Sequence, residues 1–410
     1  MFDYILPYKN MKLKNIMTKK FHLSIFIIIL SLLFTSCSLI FHTKTETKEI
    51  KDIVIYPSPP DTARIQFLTR ISRPSDIIIN NQNWFNKFIL GRNNEVFKIS
   101  KPSGIAIHNG KIYICDKKSA GLGIIDLEKN SSENFIPKGR GALRQPFSCF
   151  VDTSGFLYVV DPIRREVVIF DKKKNYLNSI GDTAKNFKPM DVFVYDNKIW
   201  VADMNGKKIK VYSDDSTNKL LYSFPHSEPT EKDFLFAPTN VFVANGKVYV
   251  TDFGDFRIKI YSTEGKFLNS IGENGDRIGT FAKPKGVAVD SELIIYVVDA
   301  AFENVQMFNK EGQVLMDFGG HYDGPGGLWI PSKIAIDYDN LKYFQRFVDP
   351  GFELKNLIFV TNQFGPDKIS VYGRVIPAKP GAKKTEMENG EEKQTKKQKK
   401  KEVIESIPDK

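Results

Sequence analysis

Apolar and polar residues alternate in short runs between residues 236 and 273, and turn-forming residues separate the runs. The runs are rich in β-branched and aromatic residues, which favour strands. Asn245-Gly246, between the first two runs, is a strong hairpin signal. Four runs follow one another at 240–243, 247–250, 257–261 and 266–271. The pattern predicts a four-stranded antiparallel meander, which cannot bury both faces by itself.

The same unit recurs along the chain, and each copy begins at or near a proline. The marker residues are Pro102, Pro146, Pro189, Pro238, Pro284 and Pro331. Successive markers lie roughly 40–50 residues apart, and such a period with four strands per copy is typical of a propeller. The sequence therefore predicts an all-β fold, a six-bladed β-propeller of four-stranded antiparallel blades.

An acidic residue closes the second strand of most copies. The residues are Asp116, Asp161, Asp203, Asp252 and Asp299, with Asn362 at the sixth position. One carboxylate per blade could suggest acid–base or metal chemistry. Its recurrence favours a turn-capping role instead, because every blade needs the same turn whereas a catalytic residue is normally unique.

The copy that begins at Pro284 reads Pro-Lys-Gly-Val-Ala-Val-Asp at 284–290, Tyr-Val-Val-Asp at 296–299 and Val-Gln-Met-Phe at 305–308. Between about residues 65 and 373 this pattern resembles the NHL-repeat family of six-bladed propellers. The resemblance implies the fold but little about function. Binding scaffolds, RNA-binding domains and a lyase share this architecture, so function has to be argued from a site.

Two fragments at the ends of the repeat array complement each other. Residues 67–71 match the fourth strand at 267–271, but no first three strands precede them. The sixth copy has three strands, which end near Tyr372. We therefore expect the N-terminal strand to join the last blade as its outer strand, which closes the ring and leaves no half-built blade with an open edge.

The first 36 residues are typical of a lipoprotein signal peptide. Lysines precede an apolar stretch at 21–34 that is too short for a comfortable transmembrane helix. Small residues then precede Cys37, which resembles a lipobox and implies lipidation of that cysteine. The chain is thus expected in a bacterial cell envelope, anchored to a bilayer on the extracytoplasmic side. An ordinary cleaved signal or a membrane anchor helix is the alternative.

Composition divides the rest of the chain into a tether at 37–62, the propeller at 63–373 and a Lys/Glu-rich tail at 374–410 that we expect to be disordered. The net charge is +11, of which 1–36 and 374–410 carry +4 each. The remaining +3 belongs to residues 37–373, so the basic character lies at the ends. Export and this near-neutral body disfavour a nucleic-acid partner.

Few residues suggest redox or metal chemistry. Cys115 and Cys149 lie at strand positions where a buried free thiol is expected, although a disulfide stays open. His226 and His321 fall in loops between blades and His108 on the opposite face, which does not make a three-ligand zinc site. No cofactor is predicted.

Propeller ligands usually bind at the central channel, on the face that carries the loops between second and third strands. The candidate binding face comprises Arg164, Arg165, Lys207, Lys208, Phe253, Arg257 and Phe302. Two function classes follow. The first is a monomeric, membrane-anchored binding or scaffold protein with a protein or glycan partner. The alternative is a metal-dependent lyase or lactonase that acts at the channel.

Two segments break the repeat. Residues 84–91 have the apolar spacing of a short helix, which would pack on the propeller or dock a partner. Residues 338–356 are inserted in the sixth copy and are rich in aromatic residues. Such an insertion would form either a binding face or a flap over the blade edge.

Overall fold

The computed structural model describes residues 53–78, 97–181 and 186–378. These residues form six antiparallel sheets, one per predicted repeat, and confirm the all-β six-bladed propeller. The signal segment at 1–36, Cys37, the predicted helix at 84–91 and the tail from 379 lie outside the described residues. Within the described ranges, no helix meets the length and hydrophobicity that a membrane span requires.

Five blades are continuous in sequence and numbered in chain order. Blade 1 comprises β3 to β6 at Pro102–His108, Lys111–Asp116, Leu122–Asp126 and Ser131–Phe135. Blade 2 comprises β7 to β10 at Ser148–Val151, Leu157–Asp161, Glu166–Phe170 and Tyr176–Gly181. Blade 3 comprises β11 to β14 at Pro189–Tyr195, Lys198–Asp203, Lys208–Ser213 and Leu220–Phe224. Blade 4 comprises β15 to β18 at Pro238–Ala244, Lys247–Asp252, Arg257–Ser262 and Phe267–Ile271. Blade 5 comprises β19 to β22 at Pro284–Val289, Ile295–Asp299, Asn304–Phe308 and Val314–Gly319.

Blade 6 joins the two ends of the propeller and confirms the predicted ring closure. Its strands are β23, β24, β25, β2 and β1 at Pro331–Asp337, Phe352–Asn362, Ile369–Pro377, Ile65–Ile71 and Ile55–Tyr56. In β2, Phe67 pairs with Tyr372 and Thr69 with Val371, so Leu68 bulges out of register. The fourth strand of blade 4 has the same register shift, between Phe267 and Asn269. The N-terminal strand is therefore a true fourth strand.

The blade 6 sheet extends beyond the boundaries expected from the repeat. Strand β25 continues past residue 373. It does so because β24 already begins at Phe352, which pairs with Pro377. At the other end, Ile55 and Tyr56 pair with β2 although they fall in the expected tether. The sheet therefore takes in residues on both sides of the interval 63–373.

The insertion in blade 6 forms a short helix, α1 (Leu341–Phe344), and a 3-10 turn at Gln345–Phe347. Phe344 is fully buried and its ring packs edge-on against Phe359, 5.4 Å away. The surrounding cluster also contains blade 1 residues such as Ile105 and Ile112. The insertion thus covers the junction of blades 6 and 1, in agreement with the flap interpretation. Two further 3-10 turns span Pro74–Asp76 and Gly139–Gly141.

The apolar core consists of clusters between neighbouring blades. Strand β2 contributes to two of them: Ile65 packs with blade 5 side chains, and Ile71 packs with blade 1 side chains. Cys115 and Cys149 are both buried and unpaired in the cluster between blades 1 and 2. This confirms the expected free thiols. Burial raises the pKa of the Cys115 thiol well above its usual value, so the group is neutral.

Candidate functional site at the channel mouth

The recurring aspartate of the second strands is a structural cap. Asp161 accepts hydrogen bonds from the backbone N–H groups of Arg144 (2.6 Å), Gln145 (3.0 Å), Ile163 (3.1 Å) and Arg164 (3.1 Å). Asp299 accepts four such bonds in blade 5, at Ala282, Lys283, Ala301 and Phe302. In blade 6, Asn362 accepts one from Trp329. These side chains tie each blade to the preceding connection, as the capping interpretation predicts.

The first strands line the central channel, and the position two residues after the marker proline faces its axis. The residues there are Gly104, Ser148, Asp191, Asn240, Gly286 and Lys333. A Cβ at Gly104 would approach Ser148 Cα to 2.6 Å, and one at Gly286 would approach the Ser332 carbonyl oxygen to 2.8 Å. Glycine is therefore required at two positions because the strands crowd together, while the other four carry polar side chains.

The four polar side chains Ser148, Asp191, Asn240 and Lys333 form a hydrogen-bonded polar layer across the channel. Asp191, which is fully buried, accepts from Ser148 Oγ and Lys333 Nζ at 2.6 Å each. It also accepts from the Asn240 amide and from the Val241 N–H, the latter at 3.0 Å. The Asn240 carbonyl oxygen accepts from Val287 N–H at 2.9 Å. The layer thus links five blades and pairs opposite blades 3 and 6 through Asp191 and Lys333.

The residue directly after each marker proline lies one position closer to the mouth. These six side chains line a cavity of about 270 Å³. We call it the mouth cavity. These residues are Ser103, Phe147, Met190, Thr239, Lys285 and Ser332. Loops that follow second strands add Lys117, Met204, Phe253 and Gln363. On the other side of the polar layer, a cavity of about 210 Å³ is apolar apart from Lys333.

The mouth cavity holds more positive than negative charge. Lys285 makes no hydrogen bond or ion pair within the described part of the chain, and its burial, followed by the charges of Lys117, Lys283 and Lys101, lowers its pKa to about 8. Burial and then the Lys101 charge also lower the pKa of Lys117, whose Nζ lies 4.7 Å from the Phe147 ring centroid. The carboxylate that lines the cavity, Asp191, already pairs with Lys333. Neither lysine makes an ion pair within the described residues: Lys117 donates to the Gln363 side-chain oxygen at 3.4 Å, and the Asp299 charge acts on Lys285 more weakly than burial and the neighbouring lysines do.

A hydroxyl at the mouth is also unsatisfied. Ser103 Oγ is buried and has no hydrogen-bond partner within the described residues. Buried polar atoms normally have a partner, so an orphan group in a cavity wall marks a place where a ligand or water completes the bond. Together with the ammonium groups of Lys117 and Lys285, this hydroxyl can surround the oxygens of an anionic group.

The predicted binding face lies around the mouth, but its members differ in availability. Phe253 lines the mouth cavity, and Arg165 is exposed. Arg164 is held by Glu166 and by backbone carbonyls of the preceding connection, and Arg257 pairs with Asp255 at 2.8 Å. The remaining members are Lys207 over the Phe234 ring, Lys208 near His226 Nδ1 and half-buried Phe302. Sequence reasoning missed the inner residues Lys117, Lys285 and Lys333.

The histidines and acidic residues do not converge on a metal-binding arrangement in the described ranges. No group of three or more His, Cys, Asp or Glu side chains there could hold a metal ion. His321 contacts Glu303, whose second carboxylate oxygen accepts from Ile330 N–H at 2.8 Å. His108 lies at the end of β3, on the face opposite the mouth.

Comparisons with other proteins support the propeller architecture. A family model, DUF5128, described as a 6-bladed beta-propeller, matches residues 229–316. No curated protein sequence matches the chain. A solved protein of unknown function from Bacteroides thetaiotaomicron is similar in fold, with a TM-score of 0.52, 14% identity, and coverage of 76% of this chain and 75% of that chain.

Two lyase structures are more distant. A streptogramin B lyase has a TM-score of 0.47 and 13% identity, with coverage of 67% of this chain and 83% of that chain. A catalytically inactive virginiamycin B lyase from Staphylococcus aureus, solved with quinupristin, has a TM-score of 0.47 and 14% identity, with coverage of 69% of this chain and 97% of that chain.

Proposed function

We propose that the chain is an extracytoplasmic binding protein of the NHL-like lipoprotein type, anchored to a bacterial membrane through Cys37, whose mouth cavity binds an anionic group of its ligand. The observation that carries this proposal is Lys285, an amine in a cavity wall without an anionic partner in the described residues. Lys117 lines the same cavity. An anion between these two ammonium groups would offset the cost of holding like charges close together away from water.

Binding is better supported than catalysis because of how the carboxylate at the site is used. Asp191 lines the mouth cavity, yet it accepts from a hydroxyl, an amide, a backbone N–H and an ammonium group. A general base needs a lone pair that is free to accept the substrate's proton. The capping aspartates are likewise occupied by backbone N–H groups and, at Asp203 Oδ2, by the Lys210 ammonium at 3.1 Å. The groups that the mouth presents to a ligand are therefore hydrogen-bond donors.

The mouth is tested by calorimetric titration of the full-length protein in detergent with galacturonate as the probe anion. Replacing Lys285 or Lys117 by methionine should weaken binding about tenfold or more, because a hydrogen bond to a charged group contributes roughly 1.5–3 kcal/mol. Lys173→Met is the matched control, since Lys173 is exposed in the turn after β9, away from the mouth. Unchanged affinity in both mouth variants would contradict the proposal.

The pH dependence of the same titration gives a second readout. Lys285 is charged below its pKa of about 8 and loses its proton above it. The affinity for galacturonate should therefore be highest below that pH and fall as the pH rises through about 8. Lys285→Arg should weaken this dependence because a guanidinium stays protonated, whereas Lys117, whose pKa burial also lowers, is retained.

The anchor is tested separately through Cys37, which lies outside the described residues. Cys37→Ser should release the protein from membranes or leave it unprocessed, because each buried methylene of an attached lipid contributes roughly 0.8 kcal/mol to membrane binding. Fractionation of cells that express the wild type and the variant measures this. Equal membrane attachment with equal processing would exclude lipidation at this residue.

A further inference from the structure

A second positively charged cavity lies beside the mouth, at the junction of blades 1 and 2. This cleft of about 420 Å³ is lined by Arg140, Arg144, Arg164 and Glu166, with Gly139, Ala142 and Leu143. We call it the arginine cleft. Its backbone is held in place, because Asp161 accepts from the N–H groups of Arg144 and Gln145.

The charges of the arginine cleft do not cancel. Arg164 donates to Glu166 at 3.1 Å and to the carbonyl of Arg140, so the single carboxylate is neutralised within the cleft. The side chains of Arg140 and Arg144 are exposed, and neither has a hydrogen-bond or ion-pair partner within the described ranges. Two guanidinium groups therefore remain for an anion, and their planar forks match carboxylate geometry.

One hydrogen bond connects the loop of the arginine cleft to the wall of the mouth cavity. Gln145, the residue after Arg144, donates from its side-chain amide to the backbone carbonyl of Lys117 at 3.3 Å. Lys117 lines the mouth cavity and lies close enough to Lys101 and Lys285 for their charges to interact. The cations thus form a basic track, defined here as Arg140, Arg144, Lys117, Lys101 and Lys285.

Exposed aromatic rings accompany the cations of the basic track. Phe364 is 49% exposed with Lys101 Nζ 4.5 Å from its ring centroid, and Phe253 at the mouth is 36% exposed. An apolar ring kept in water next to a cation suggests a partner with both apolar and acidic faces. A sugar ring that carries a carboxylate has this character: its C–H face packs on a phenyl ring, and its acid group binds the neighbouring cation.

We propose that the mouth face binds an acidic polysaccharide, with one uronate carboxylate in the mouth cavity and further carboxylates of the same polysaccharide in the arginine cleft. This inference rests on the proposed function, which supplies both the anion site and the extracytoplasmic location. Successive acid groups on one polymer bind as linked modules, so the second contact forms at a high effective concentration and affinity exceeds that of either site alone.

The experiment compares galacturonate with oligogalacturonates of increasing length on the full-length protein. We expect oligomers to bind at least tenfold more tightly than the monomer. Arg140→Gln/Arg144→Gln should remove this gain, whereas Lys285→Met should weaken the binding of monomer and oligomers alike. The control is Lys172→Gln/Lys173→Gln, which removes the same charge from exposed side chains away from the mouth. Circular dichroism establishes that each variant is folded.

The possible failures are distinguishable. If the monomer binds at the mouth but oligomers bind no more tightly, the polysaccharide inference is overturned while the proposed anion site stands. If neither the monomer nor the oligomers bind, the proposed anion site and the polysaccharide inference are both wrong. Poly-L-glutamate and a single-stranded RNA serve as competing polyanions. Binding of either as tightly as the oligogalacturonate would show that the track responds to charge density alone, which also overturns the inference.

Discussion

Replacing both Ile65 and Ile71 by alanine is expected to unfold the whole propeller at temperatures where the wild type is folded. Both side chains are fully buried, and an isoleucine-to-alanine change in a core costs roughly 2–5 kcal/mol. The two losses should add, since Ile65 belongs to the cluster with blade 5 and Ile71 to the cluster with blade 1. The sum is comparable with a typical net stability of about 5–15 kcal/mol.

Thermal melting followed by circular dichroism measures the effect over all blades at once. Leu268→Ala is the matched control, because Leu268 lies in the equivalent outer strand of blade 4 and is 45% exposed. We expect the control to melt like the wild type and the double variant to lose its single transition or show it many degrees lower. A double variant with an unchanged melting curve would mean that the packing of β2 contributes little to the stability of the propeller.

Ring closure could be predicted from sequence because it depends on local pattern. Residues 67–71 repeat the order of apolar and polar residues of another fourth strand, and the register shift opposite Tyr372 reproduces the one opposite Tyr261. The recurring aspartates were predictable for the same reason, since each serves the turn and connection of its own blade. Sheet boundaries were less predictable, because the extension of β24 and β25 depends on pairing between an insertion and the chain end.

The candidate site could not be predicted in the same way because closing the ring brings its members together. Asp191 and Lys333 are 142 residues apart in sequence, and nothing in their local patterns marks them as partners. A usable signal was the position two residues after each marker proline, which is glycine in two blades and polar in four. The preceding position supplies Lys285 and five other residues of the cavity wall. Aligning the six repeats on their marker prolines would have singled out both of these positions.

The second prediction with a large expected effect on stability concerns Asp191 in the polar layer. Replacing Asp191 by alanine leaves the Lys333 ammonium, whose side chain is 14% exposed, without its counterion. The Ser148 hydroxyl and the Val241 N–H lose their acceptor as well. Breaking a buried ion pair by removing one partner costs about 3–5 kcal/mol, mostly because the remaining charge is buried and uncompensated.

If that charge is the cause, the loss should be largely reversed in Asp191→Ala/Lys333→Met, since methionine keeps much of the side-chain volume without the charge. Asp339→Ala is the control for an exposed aspartate and should change stability by no more than about 0.5 kcal/mol. Urea unfolding midpoints of the four proteins measure the series. Recovery in the double variant would identify the uncompensated Lys333 charge as the main cost. A double variant as unstable as Asp191→Ala alone would show instead that the hydrogen bonds of Asp191 to blades 2 and 4 hold the channel together, and that its ion pair with blade 6 contributes little.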